Sequence, residues 1–207
     1  MNTLKKIALA ATAIMAMVAC NSGSKTKTSE TKEDKAPTEV ATTLPAKTFD
    51  INILMQSALE GKTAAIQEAL DNGFDPNTVD ENKRTALMLA SYNGHNEIAK
   101  ILIANGADVN LTDTIHRTAL MYASTGPFLP TVMTLLEAGA ETNIQDNEEK
   151  WTAVMMAASE GQLEVIKALI AHGADLKMVD VDGESSWDFA NSNGHKAVAD
   201  YIKSQTK

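Results

Sequence analysis

The sequence predicts an all-α repeat solenoid of about five helix-turn-helix units, joined by β-hairpin-like loops and stacked side by side. Three ladders of residues predict it. Thr85-Ala86-Leu87-Met88-Leu89-Ala90 returns as Thr118-Ala119-Leu120-Met121-Tyr122-Ala123, Thr152-Ala153-Val154-Met155-Met156-Ala157 and Ser185-Ser186-Trp187-Asp188-Phe189-Ala190, with starts 33, 34 and 33 residues apart. Gly73, Gly106, Gly139 and Gly173 keep the same beat, and so do Asp80, Asp113, Asp146 and Asp180. A period of this length marks units that cannot bury an apolar face alone and must stack to do so.

Each element of the unit has a local cause. Thr85, Thr118 and Thr152 place a hydroxyl before an apolar run, as a helix N-cap requires. Leu87, Ala90, Ile98, Ile101 and Leu102 fall on helical spacing and form one face. The ladder glycines follow the second helix, where a left-handed residue ends it. Terminal units should be atypical: Trp187, in a core column, and Phe189 add bulk to the last one, and Lys196, Asp200 and Lys203 make its outer face polar. Hydrophobic content is 44% but aromatic content only 4%, so the core must be built from Ala, Leu, Ile, Val and Met, which suits small, closely packed helices. The formal net charge of −9 argues against nucleic acid as a partner, because phosphate binding needs clustered Lys and Arg.

The unit Thr-x-Leu, then Leu-Ala, then Asn93-Gly94-His95-Asn96-Glu97-Ile98, then Asn105-Gly106-Ala107-Asp108-Val109-Asn110 resembles the ankyrin repeat. The resemblance runs from about Thr48 to Lys203 and defines a repeat domain over 48–207. Two departures stand out. The family's Thr-Pro-Leu-His reads Thr-Ala-Leu-Met here, which puts part of the stitching between repeats in doubt. Met55, Met88, Met121 and Met155 fill the family's His position, one per repeat. They read as adaptable apolar packing. A thioether ladder for copper(I) is the alternative, but repeats spaced ~10 Å apart hold the sulfurs too far apart to share an ion. In the third repeat Thr125-Gly126-Pro127-Phe128-Leu129-Pro130 replaces the Gly-His turn. Phe128 and Leu129 are either partly exposed or tucked between second helices.

Residues 1–19 have the layout of a secretory signal peptide: Lys5 and Lys6, an uncharged apolar run from Ile7 to Val18, and a small residue before Cys20. The run is too short to span ~30 Å of hydrocarbon. Met17-Val18-Ala19-Cys20 resembles the lipobox of bacterial lipoproteins, with Met17 in place of the usual Leu. The resemblance implies cleavage before Cys20, lipidation of Cys20, and a periplasm-facing anchor in the bacterial cell envelope. By the same resemblance, Asn21 after the Cys implies the outer rather than the inner membrane. Residues 20–47 carry the lipidated Cys and a stretch rich in Ser, Thr, Lys and Glu, with Pro37 and Pro45, too polar to bury a core, and read as a disordered tether.

The family resemblance implies that partners dock on hairpin tips and on the exposed face of each first helix. Carried over, the candidate contacts are Glu81, Asn82, Arg84 and Tyr92 in the second repeat, Ile115 and Arg117 in the third, and Glu148, Glu149 and Trp151 in the fourth. Arg84, Tyr92, Ile115, Arg117 and Trp151 are the expected anchors, since Arg, Trp and Tyr are enriched at interface hot spots. The alternative is that Trp151 packs on its own hairpin and the arginines pair with nearby acids. No catalytic constellation emerges. His95, His116, His172 and His195 lie in different repeats without metal-ligand spacing, there is no Gly-x-Ser-x-Gly, and no cofactor is expected. The expectation is a monomeric, lipid-anchored module that binds another protein, with a basic one suited by complementary charge. Its role would be to inhibit or protect against an exported enzyme or toxin, to assist assembly of another exported protein, or to tether a complex to the membrane.

Overall fold

The computed structural model describes residues 50–206, so the signal peptide, Cys20 and the tether lie outside the described residues. Among the described residues, ten helices follow one another in pairs. The first helices are α1 (Ile51–Leu59), α3 (Ala86–Tyr92), α5 (Ala119–Ala123), α7 (Ala153–Ser159) and α9 (Ser186–Ser192). Each is followed by its second helix: α2 (Thr63–Asp71), α4 (Asn96–Ala104), α6 (Leu129–Glu137), α8 (Leu163–Ala171) and α10 (Lys196–Gln205). First helices pack on first helices and second on second, so the core lies between two layers. None of the described helices is long and apolar enough to cross a membrane.

The expected caps are present. Thr85, Thr118 and Thr152 accept the amides of Met88, Met121 and Met155 at 3.3, 3.3 and 3.4 Å. Gly73, Gly106, Gly139 and Gly173 have φ of 84, 91, 89 and 88° and close the second helices. The four ladder methionines are buried in the first-helix layer, which is the packing role.

Register explains the two ends. Leu54, Leu87, Leu120 and Val154 occupy one column and are buried against the next unit. Trp187 is the fifth member of that column, but no further helix pair follows among the described residues. It is therefore half-buried and lines a groove with Asn191, Lys196, Asp200 and Lys203, instead of joining the core. At the other end Ile53, 67% exposed, holds the place taken by buried Ala86, Ala119 and Ala153.

The stitching put in doubt by the missing His is supplied elsewhere. Asn77, Asn110 and Asn143 each donate to a glycine carbonyl of the following unit (Gly106, Gly139, Gly173) at 3.0–3.2 Å. Their side-chain oxygens accept the amides of Asp108, Glu141 and Asp175. Nε2 of His95 donates to the Leu59 carbonyl at 2.9 Å, and Nε2 of His195 to Ser159 at 3.0 Å. In the third unit α5 stops early and Pro130 sits in the first turn of α6, where its missing N–H costs nothing. Both Phe128 and Leu129 are half-buried. The Phe128 ring lies over Gly94 and Gly126, filling the space a Cβ would need, as the His95 ring lies over Gly61.

Gly94 thus combines φ of 68° with an occluded Cβ position, whereas Gly106 has φ of 91° and open space. Both Gly→Ala variants carry the left-handed penalty of ~1–2 kcal/mol. Gly94→Ala also displaces Phe128, and its urea midpoint should fall further than that of Gly106→Ala.

Candidate functional site

The hairpin tips share one design, and its centre is the aspartate ladder. The amide of Asp80, Asp113 and Asp180 donates to the carbonyl four residues on, and that of Asp146 to Trp151, at 3.0–3.1 Å. Each aspartate's Oδ1 also accepts two amides of its own tip: Asn82 and Arg84, Ile115 and Arg117, Glu149 and Trp151, Asp182 and Glu184. The fourth tip is one residue longer, which accounts for the single 34-residue spacing. Asp113, Asp146 and Asp180 are buried and cap the tips, because a carboxylate taken from water needs hydrogen-bond donors in its place. Oxygens of Asp180, Asp182 and Glu184 come within 4.8 Å of one another, but Asp180 Oδ1 already holds the amides of the other two.

The second carboxylate oxygen consumes the expected anchors. Arg84 donates through Nε at 2.8 Å to Asp80 Oδ2, with Nη2 at 2.7 Å. Arg117 reaches into the next unit, its Nε 3.2 Å from Asp146 Oδ2 and its Nη2 3.9 Å from Glu148, and its side chain is only 13% exposed. Tyr122 donates to Asp113 Oδ2 at 2.7 Å. Trp151, expected as an exposed anchor, is 8% exposed. Its ring packs against Phe189 of the next unit with centroids 4.6 Å apart. Its indole N–H has no hydrogen-bond partner among the described residues, so packing alone holds it. Arg84 pairs with an acid of its own tip and Arg117 with one of the next, as the alternative reading had it, but Trp151 packs on the following unit rather than on its own hairpin.

What remains outward is a strip. Adjacent tips are joined by backbone bonds: Thr114 N–H to Asn82 O, Asn147 N–H to Ile115 O and Val181 N–H to Glu149 O, at 3.0–3.1 Å. Glu81 and Glu148 are exposed, and Asn82, Tyr92, Ile115 and Glu149 half-buried, along it. Tyr92 meets Tyr122 edge-on at 6.1 Å. Val181 is 52% exposed at the last tip. Sequence reasoning passed over Lys83 and Lys150 and weighed His116 only as a metal ligand. These exposed tip residues have left-handed φ of 58, 58 and 66°. The signal was available, because Gly183 stands in their column in the fifth unit.

The family model for ankyrin repeats in three copies matches residues 54–146 and again 126–206. Repeats of that kind are generally non-enzymatic modules for protein–protein interaction.

Burial, and next the hydrogen bond to the Asp113 carboxylate, push the Tyr122 hydroxyl above the ordinary phenol range. A phenol whose folded pKa is raised stabilises the fold below its unfolded value near ~10 and loses that contribution as pH rises beyond it. Tyr122→Phe should remove the last-ionising phenol from the ultraviolet titration. At neutral pH it should cost about 1–3 kcal/mol in urea unfolding, because Asp113 Oδ2 loses its donor.

Proposed function

We propose that this chain, which belongs to the ankyrin-repeat family, is a lipid-anchored envelope module that grips an exported enzyme or toxin and inhibits or shields against it. The observation that carries the binding part is the tip strip. Its backbone is fixed from beneath by the aspartates and from the side by tip-to-tip bonds, while its outward side chains stay wholly or partly exposed. A surface ordered before binding loses little entropy on association. Tyr92, Ile115 and Val181 supply apolar area, and the polar residues around them form a rim. Support for the anchor comes from the order of Lys5, Lys6, the apolar run and Cys20 in the sequence. The net charge of −9 favours a partner that is basic overall, through long-range attraction.

Crosslinking tests this reading in intact cells. A photoreactive residue at position 115 should trap one protein, and the same residue at position 137, on a second helix, should trap none. Position 151 is unsuitable because it is buried. Purified chain added to the trapped protein should then lower its activity. A higher yield of active protein would favour an assembly role instead, and loss of membrane retention in Cys20→Ala with no change in activity would favour a tether. Equal trapping from 115 and 137 would remove the strip as the binding surface.

A further inference from the structure

Three consecutive tips hold a side chain where the backbone favours glycine. Lys83, His116 and Lys150 have φ of 58, 66 and 58°, and the equivalent residue of the fifth unit is Gly183 with φ of 82°. Left-handed backbone disfavours residues with a Cβ, and strain of this kind gathers at functional positions. Among the described residues, Lys83 and Lys150 make no ion pair, although Lys62, Arg84, Arg117 and Lys167 do. The tips themselves are fixed. His116 Nδ1 donates to the Gln145 carbonyl at 2.9 Å, and Gln145 Nε2 donates to the carbonyls of Lys150 and Val179 at 2.7 and 3.0 Å.

We propose that Lys83 and Lys150, with His116 fixing the tip between them, form a recognition row for an extended acidic segment of the protein partner. The inference rests on the binding role of the strip and adds the chemistry it reads. Stacked units are ~10 Å apart, and an extended polyproline-II chain rises ~3.1 Å per residue with three residues per turn, so every third side chain shares a face. Carboxylates at every third residue of such a segment therefore reach successive tips, and every second one meets a lysine. Glu81 and Glu148 border the row and disfavour registers that place a carboxylate over them. The segment is a local feature, compatible with a partner whose overall charge is positive.

The test uses the full chain and two peptides, one repeating Glu-Ser-Thr and one repeating Gln-Ser-Thr, with binding followed by fluorescence anisotropy. The Glu peptide should bind more tightly. Exposed charge pairs are worth roughly 0.2–1 kcal/mol, so each of Lys83→Gly and Lys150→Gly should weaken it by up to about fivefold. The double variant should erase its advantage over the Gln peptide. Lys→Arg at both positions should retain that advantage, while the glycine variants keep or raise the urea midpoint. A Glu peptide that binds no better than the Gln peptide overturns the proposal. So does an advantage that survives both glycine substitutions. Either result, alongside specific trapping from position 115, leaves the binding strip standing and removes only its acidic ligand.

Discussion

One carboxylate oxygen beneath each hairpin tip, accepting two backbone amides of that tip, is the contact on which the rest of the molecule depends. It sets the path of the tip, and so decides which side chains turn inward and which face solvent. The other oxygen holds tip arginines and, through Tyr122, ties a tip to a helix. In the second unit the remaining oxygen holds that unit's own arginine, in the third the Tyr122 hydroxyl, and in the fourth the arginine of the preceding unit. Hydrogen bonds to an ionised group are about twice as strong as neutral ones. A buried carboxylate stripped of them would be left with a large desolvation cost. Tip geometry is therefore coupled to the stack rather than floating above it.

The stack continues the same logic in the other direction. Every interior column is closed by the neighbouring unit, so a position's burial is set by the next unit as much as by its own residue type. Leu87 and Trp187 share a column but not an environment. The asparagine amides and the two histidines supply polar bonds across the junctions, which fixes the spacing of units, and through it the spacing of tips. Phe128 does the corresponding job in the third unit by packing alone. The proposed binding role depends on this order: a line of outward side chains at regular intervals on a backbone that does not need to be ordered by the ligand.

Period, helix caps and closing glycines could all be read from the sequence because each depends on residues close together in the chain. The aspartate ladder was equally visible, yet its role was not. Whether Asp146 caps a helix or a hairpin depends on the tip's three-dimensional path. Trp151 and Trp187 exchanged roles for a similar reason. A tryptophan at a tip is exposed only if the next unit leaves it so, and here Phe189 covers it. Arg84 and Arg117 had the right composition for an interface but were taken up by internal carboxylates that lie within reach only once the units stack. Lys83, His116 and Lys150 were hidden for a different reason: a left-handed backbone has no residue signature when the residue is not glycine, and only the aligned Gly183 betrays it.

Amide hydrogen exchange on the free chain, resolved to single residues, tests the central claim most directly. If the buried aspartates order the tips in advance of any partner, the amides of Arg84, Arg117 and Glu184 will exchange as slowly as those within α3 and α7. Asp146→Ala will then speed exchange at Glu149 and Trp151 while leaving the second tip slow. Tip amides that exchange as fast as exposed loops in the unaltered chain would contradict the account.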